Sequence, residues 1–128
     1  LNKKQRVLIR VNPGVEAHTH HFIQTAKVDS KFGFSISTGE AEDIVKYVKT
    51  KANLDLVGLH CHIGSQIFEY KSFALAVQKM TDFYKLLNDK YSLEFDVLNL
   101  GGGFGIYYSG DDSKKTCAQY AEYIKNIA

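Results

Sequence analysis

Short apolar runs, separated by polar and glycine-rich segments, recur along the chain. Four of them have the length and the composition of strands: RVLIRV at 6–11, FGFSI at 32–36, LDLVGLHCHIG at 54–64 and FDVLNLGGG at 95–103. Each run is bounded by turn-forming or charged residues, as is usual for a buried strand. We therefore predict four strands.

A helical spacing of apolar residues fills the segments between these runs. Apolar positions at i, i+3, i+4 and i+7 mark one face of a helix after residue 38. The same spacing predicts a long helix over 70–89 and the start of a third helix at Cys117. The predicted apolar faces are Ala41, Ile44, Val45 and Val48 in the first helix, and Phe73, Ala76, Val77, Met80, Tyr84 and Leu87 in the second.

The alternation of strands and helices predicts βα units and a parallel sheet, which places the fold in the α/β class. About three to four such units would form roughly half of an eight-stranded (β/α)8 barrel of the TIM type. The chain has no initiator methionine and stops at Ala128 within a helical pattern. We therefore expect residues 1–128 to be a fragment of a barrel domain from a longer protein.

Composition and charge argue against nucleic acid and membrane as partners of this chain. The chain has 128 residues, of which 45% are hydrophobic and 23% charged, as in ordinary soluble domains. A net charge of +2 without a basic run argues against nucleic acid. No apolar stretch reaches the ~20 residues that span a bilayer, and the first 14 residues lack a signal-peptide core. Because Cys61 and Cys117 form no disulfide framework, we expect a cytoplasmic protein.

Residues that could bind a ligand lie where three of the predicted strands end. In parallel α/β folds, ligand sites lie at the carboxyl ends of strands. Three segments fall there: Arg10-Val11-Asn12, residues 60–66, and Gly101-Gly102-Gly103. Their shared position predicts a single site.

The three glycines allow two interpretations. Consecutive glycines let backbone N–H groups converge on an oxyanion, which makes a nest for phosphate. The stretch GGGFG at 101–105 is neither a dinucleotide fingerprint nor a P-loop, since no Gly-Lys-Ser/Thr follows. A flexible turn between strand and helix would use the same residues, so both interpretations stay open.

The pair His60 and His62 allows three interpretations. On a strand these side chains share one face while Cys61 points to the other, where we expect it to be a buried small hydrophobe. An H-x-H pair at a strand end can bind a divalent metal. Alternatively one imidazole can lie against an aromatic cofactor while Ser65 binds its phosphate, or both histidines can be core residues.

Two further groups of residues carry weaker signals. The run HTHH at 18–21 has no cysteine or carboxylate at ligand spacing, so a polar loop is a better interpretation than a metal site. Lys31 could be a solvated lysine, an ion-pair partner or a covalent catalyst. Nothing near it in the sequence marks a pocket that would lower its pKa.

Three stretches together resemble one enzyme family. IRVNPGVEAHTHHFIQT with DSKFGF, GLHCHIGSQI and LNLGGGFGIYY occur in the order and spacing of the diaminopimelate decarboxylases, which are fold-type III pyridoxal-phosphate enzymes. The resemblance runs from about Val7 to Asp111. It implies decarboxylation of meso-2,6-diaminopimelate to L-lysine and carbon dioxide, the last step of lysine biosynthesis. It also implies an alanine-racemase-like barrel domain, followed by a C-terminal β domain, in a homodimer.

The resemblance assigns roles to individual residues. His62 would stack on the ring of pyridoxal 5'-phosphate, and Ser65 with Gly101, Gly102 and Gly103 would hold its phosphate. Arg10 matches an arginine near the cofactor, whereas His60 has no assigned step. The Schiff-base lysine and the partner cysteine are expected outside residues 1–128, so this chain would carry no catalytic residue and no metal ligand.

Three alternatives stay open at the level of the sequence. The first is a related ornithine- or arginine-type decarboxylase, and the second is an H-x-H metal-dependent hydrolase with a barrel fold. The third is a barrel that binds pyridoxal phosphate without catalysis. The residues that would distinguish the related decarboxylase by its substrate are expected downstream of Ala128.

Overall fold

The computed structural model describes residues 3–15, 32–110 and 115–127, and in these ranges strands alternate with helices. The strands are β1 (Gln5–Asn12), β2 (Phe34–Ser35), β3 (Leu54–His60) and β4 (Val97–Asn99). The helices are α1 (Glu40–Lys49), α2 (Tyr70–Tyr91) and α3 (Cys117–Lys125). The predicted α/β class and all of the predicted strands and helices are confirmed.

Parallel pairing joins the strands into one sheet with the order β2-β1-β3-β4. The register pairs Arg10 of β1 with His60 of β3, and His60 in turn with Asn99 of β4. A shift of register between Val7 and Leu8 interrupts the pairing of β1 with β3. Because all pairs are parallel, the carboxyl ends of the strands lie along the same edge.

One face of the sheet packs on α1 and α2. The helical spacing in the sequence predicts this packing, since it places apolar side chains on one side of each helix. The buried cluster comprises Ile9, Val11, Leu59 and Cys61 from the sheet side, Ala41, Val45 and Val48 from α1, and Met80, Phe83 and Leu87 from α2. Phe83 is buried here, whereas the predicted Tyr84 is half-buried and lies against the ring of Phe95, with centroids 5.6 Å apart. None of the helices in the described ranges is long and apolar enough to cross a membrane.

A second cluster of buried side chains includes residues that follow the carboxyl ends of β1 and β3. Val15, Ile63, Ile67, Phe73, Ala76 and Tyr120 are buried together there. The Tyr120 hydroxyl donates a hydrogen bond of 3.0 Å to the carbonyl oxygen of Ile67. A capping box between Thr116 and Gln119 begins α3. This helix therefore anchors the segment that follows β3.

β2, β3 and β4 are shorter than the apolar runs that predict them, and β2 comprises only Phe34–Ser35 of the predicted 32–36. β3 ends at His60 rather than at residue 64, and β4 ends at Asn99 rather than at 103. His62 and the three glycines consequently lie in loops beyond the strand ends. These loops form the candidate site.

Candidate functional site

Arg10, His60 and Asn99 lie side by side across three neighbouring strands, in one row at the carboxyl edge. Arg10 is half-buried, and its guanidinium carbon lies 5.1 Å from the centroid of the Phe32 ring. The prediction that the three strand ends meet is therefore confirmed. Asn99, for which the sequence predicted no role, completes the row.

The loop after β4 touches the loop after β3 through its glycines. Gly101 and Gly103 have φ angles of 75° and 95°, which L side chains rarely adopt. A Cβ on Gly101 would lie 2.5 Å from the Cys61 carbonyl oxygen and 3.0 Å from Nδ1 of His62. A Cβ on Gly103 would overlap the carbonyl oxygen of Gly64. Only glycine permits this approach, which places His62 directly against the glycine loop.

This contact leaves a set of hydrogen-bond donors at the edge. The Gly101 N–H donates to Oδ1 of Asn99 at 2.8 Å, an Asx turn that the sequence signals by an asparagine two residues before a glycine. The N–H groups of Gly102 and Gly103, and the hydroxyl of Ser65, form no hydrogen bond to the other described residues. A Cβ on Gly102 would meet no atom within 4 Å. Such donors, beside a backbone without side chains, can donate hydrogen bonds to a phosphate oxyanion.

The electrostatics of the site keep its imidazoles neutral. Burial and then the charge of Arg10 lower the pKa of His62 below the ordinary histidine value. Burial, followed by Arg10 and His62, lowers the pKa of His60 in the same way. At neutral pH the site therefore holds two uncharged rings beside one guanidinium. A neutral ring can lie against an aromatic ligand, and the guanidinium favours an anionic one.

Cys61 belongs to the core rather than to the site. Its side chain is fully buried in the cluster with α1 and α2, as predicted, and its Sγ lies 3.8 Å from the carbonyl oxygen of Leu100. Burial raises the pKa of this thiol to about 11, so it stays protonated and is a poor nucleophile. Cys117 is exposed at the start of α3.

Metal-binding side chains do not cluster within the part of the chain that the structure describes, since no three of them could hold one ion. The histidines at 18, 20 and 21 and Lys31 lie outside the described residues. Of the predicted site residues, the structure brings Arg10, His60, His62, Ser65 and Gly101–Gly103 to one edge.

Comparison with known proteins assigns the chain to a family. The family model described as "Pyridoxal-dependent decarboxylase, pyridoxal binding domain" matches residues 1–128. The chain belongs to this family. The family is pyridoxal-dependent, and the donors and neutral imidazole at the carboxyl edge fit a phosphorylated aromatic cofactor. It is this match that favours a decarboxylase over the metal-dependent hydrolase.

Two curated relatives of the chain are both named diaminopimelate decarboxylase. The chain is 46% identical to the diaminopimelate decarboxylase of Bacillus methanolicus over 98% of the chain and 29% of that relative. It is 48% identical to the Bacillus subtilis enzyme of the same name over 92% of the chain and 27% of that relative. The chain therefore spans less than a third of the length of these curated relatives.

A solved structure gives the same result for the fold. The crystal structure of diaminopimelate decarboxylase from Helicobacter pylori complexed with L-lysine superposes with a TM-score of 0.85 at 32% identity. The match covers 98% of this chain and 31% of that chain. The parallel sheet described above thus corresponds to part of the barrel of these enzymes.

Proposed function

We propose that residues 1–128 form part of the pyridoxal 5'-phosphate site of a diaminopimelate decarboxylase, which converts meso-2,6-diaminopimelate to L-lysine and carbon dioxide. The contact between His62 and the loop of Gly101–Gly103 carries the proposal, because it puts a neutral aromatic ring beside phosphate donors. The curated relatives named above support the choice of substrate.

The phosphate would be held by Ser65 and by the glycine loop. The exposed Ser65 hydroxyl and the N–H groups of Gly102 and Gly103 can each donate to a phosphate oxygen. Gly101 would contribute mainly through its backbone conformation, since its N–H donates to Asn99. Arg10 would add positive charge at the same edge, which favours a dianionic group.

His62 would lie on the face of the cofactor ring and fix its tilt. A neutral imidazole suits this position, because a protonated one would repel a pyridinium. When bound, pyridoxal phosphate supplies an electron sink for the bond electrons that remain after loss of carbon dioxide. In this proposal the described residues of the site position the cofactor rather than transfer protons.

The remaining parts of the proposal concern the whole protein. We infer that the lysine that binds the cofactor covalently, a partner-supplied cysteine and a C-terminal β domain come from outside residues 1–128. We also infer a cytoplasmic homodimer that acts on a small amino acid and binds neither nucleic acid nor membrane. The L-lysine complex of the Helicobacter pylori relative supports a site for this product.

Two substitutions in the complete polypeptide that contains this chain test the assignment. Ser65→Ala removes a charge-assisted hydrogen bond, so we expect the affinity for pyridoxal phosphate to fall roughly ten- to a hundredfold. Activity should recover at saturating cofactor. His62→Ala should mainly lower kcat at saturating cofactor, because the ring loses its orientation. Absorbance titration and steady-state assays measure both effects.

Thr50→Ala provides the control for these variants. It removes an exposed hydroxyl that donates to the carbonyl oxygen of Tyr47 at the far end of α1, and it should leave both readouts unchanged. If Ser65→Ala binds pyridoxal phosphate as tightly as the parent protein does, the proposed phosphate site is wrong.

A further inference from the structure

Gln66 has an unusual backbone conformation for a residue with a side chain. It follows Ser65 directly and has a φ angle of 54°, in the left-handed region that glycine favours. Such a conformation persists only where surrounding contacts hold it. Gln66 is half-buried, and its contacts identify what holds it.

The side-chain amide of Gln66 pairs with both backbone groups of Ile106. Its Nε2 donates to the Ile106 carbonyl oxygen at 2.9 Å, and its Oε1 accepts from the Ile106 N–H at 3.0 Å. At the next residue, the N–H of Ile67 donates to the carbonyl oxygen of Gly103, and the N–H of Gly105 donates to the carbonyl oxygen of Ile67, both at 2.9 Å. The amide of Gln66 thus adds two side-chain hydrogen bonds next to the short parallel bridge between Ile67 and Phe104.

These contacts enclose Ser65 on both sides. On the amino-terminal side, the carbonyl of Gly64 lies so close to Gly103 that a Cβ there would overlap it. On the carboxyl-terminal side, Gln66 is tied to Ile106. The position of Ser65 relative to the glycine loop is therefore set by one contact before it and by four hydrogen bonds after it. Two of these are the side-chain bonds of Gln66, and two are the backbone bonds of Ile67.

We propose that Gln66 is a positioning residue, whose amide holds the Ser65 hydroxyl and the N–H groups of Gly102 and Gly103 in one phosphate-binding arrangement. The proposal rests on the proposed function, since it assumes that these donors bind the cofactor phosphate. Gln66 itself need not touch the ligand. Its effect on affinity comes from preorganisation, because donors that are already aligned lose less freedom on binding.

The test compares three variants of the complete polypeptide, each with its cofactor removed. Gln66→Met keeps the length of the side chain but loses both hydrogen bonds. Gln66→Gly loses them too, yet it relieves the left-handed backbone. Gln78→Met is the matched control, because Gln78 lies exposed on α2, and its side-chain amide donates to Asp82 and to no other residue in the described ranges. Each protein is titrated with pyridoxal phosphate, inorganic phosphate and pyridoxal.

We expect both Gln66 variants to bind pyridoxal phosphate and inorganic phosphate about tenfold more weakly than the parent protein, which corresponds to the loss of one to two net hydrogen bonds. Their affinity for pyridoxal, which lacks the phosphate, should stay within about twofold of the parent value. Gln78→Met should match the parent protein for all three ligands. Hydrogen exchange of the Ile106 amide should accelerate in the Gln66 variants alone.

Four results would contradict either the proposed function or the proposed role of Gln66, and the titrations distinguish them. A parent protein that binds neither phosphate ligand refutes the proposed function itself. If the parent protein binds both and Gln66→Met binds them equally well, only the role of Gln66 is refuted. An equal loss of pyridoxal affinity shows a general loosening of the site. Full binding by Gln66→Gly with weak binding by Gln66→Met shows that backbone strain, and not the amide pairing, is responsible.

Discussion

At the scale of single residues, the charge state of the site depends on Arg10 of β1, His60 of β3 and His62 in the loop after β3. His60 and His62 are half-buried, and Arg10 is paired in register with His60. Burial is the largest cause of the lowered histidine pKa values, and Arg10 is the next. The folded state therefore disfavours the imidazolium form, whereas the unfolded chain does not.

We expect both histidines to titrate below the ordinary histidine pKa of about 6.5, as measured by NMR of their ring C–H groups. Because the unfolded chain takes up protons first, the stability that these neutral rings contribute is present above that pH and is lost as the pH falls below it. Arg10→Gln should raise both pKa values only part of the way, since burial remains.

Arg6→Gln is the matched control for Arg10→Gln. Arg6 is on the same strand but exposed, and it pairs with Asp96 at 2.8 Å. An ordinary pKa for both histidines in the parent protein, or an equal shift in the Arg6 variant, would contradict the electrostatic account.

At the scale of elements, two neighbouring glycines of the loop are expected to serve different purposes. Gly103 is needed for the fold, and Gly102 for the binding of the ligand. Gly103→Ala places a methyl group against the Gly64 carbonyl at a positive φ, so we expect a loss of about 2–4 kcal/mol in the free energy of unfolding. Gly102→Ala meets no atom within 4 Å, and its cost should stay within about 0.5 kcal/mol. Urea unfolding measures both costs.

The Gly102 variant should nevertheless bind pyridoxal phosphate more weakly than the parent protein. Its methyl group would occupy space beside the N–H donors, where the proposed phosphate lies. Cofactor titration of the folded variant measures this loss. Unchanged affinity together with unchanged stability would show that the phosphate does not approach Gly102.

At the scale of the whole molecule, one face of the sheet is covered and the other is open. The open side exposes large apolar residues, among them Leu8 at 38% and Val97 at 37% of their surface, which the register places on the same face. In an (β/α)8 barrel this face points to the interior, and the remaining strands cover it. We therefore propose that catalysis needs segments of the polypeptide beyond residues 1–128.

A polypeptide of residues 1–128 alone should consequently release no carbon dioxide from meso-2,6-diaminopimelate above the rate of free pyridoxal phosphate. In the proposed function, the cofactor-binding lysine and the partner cysteine come from outside residues 1–128. Carbon dioxide release is the assay, with the complete polypeptide as the positive control. Turnover by the short polypeptide would show that the catalytic groups lie within it.

The helices and strands of this fold could be predicted because each one depends on the spacing of apolar residues within a short segment. The spacing of Ala41, Val45 and Val48 predicts the buried face of α1, and each of these side chains is buried. The meeting of His62 with the glycine loop also follows from sequence, since parallel strands must end at the same edge. The roles of these residues toward the cofactor stay predictions.

Contacts between segments that are distant in sequence could not be predicted. The pairing of Gln66 with Ile106 spans 40 residues, and nothing in either local pattern indicates it. The same holds for the early ends of β3 and β4, and for the burial of Phe83 in place of Tyr84. A local pattern specifies which residues can form a strand or a helix face. Where a strand ends, and which side chain is buried, depend on the neighbours that compete for each hydrogen bond and each contact, and packing brings those neighbours together only in the folded chain.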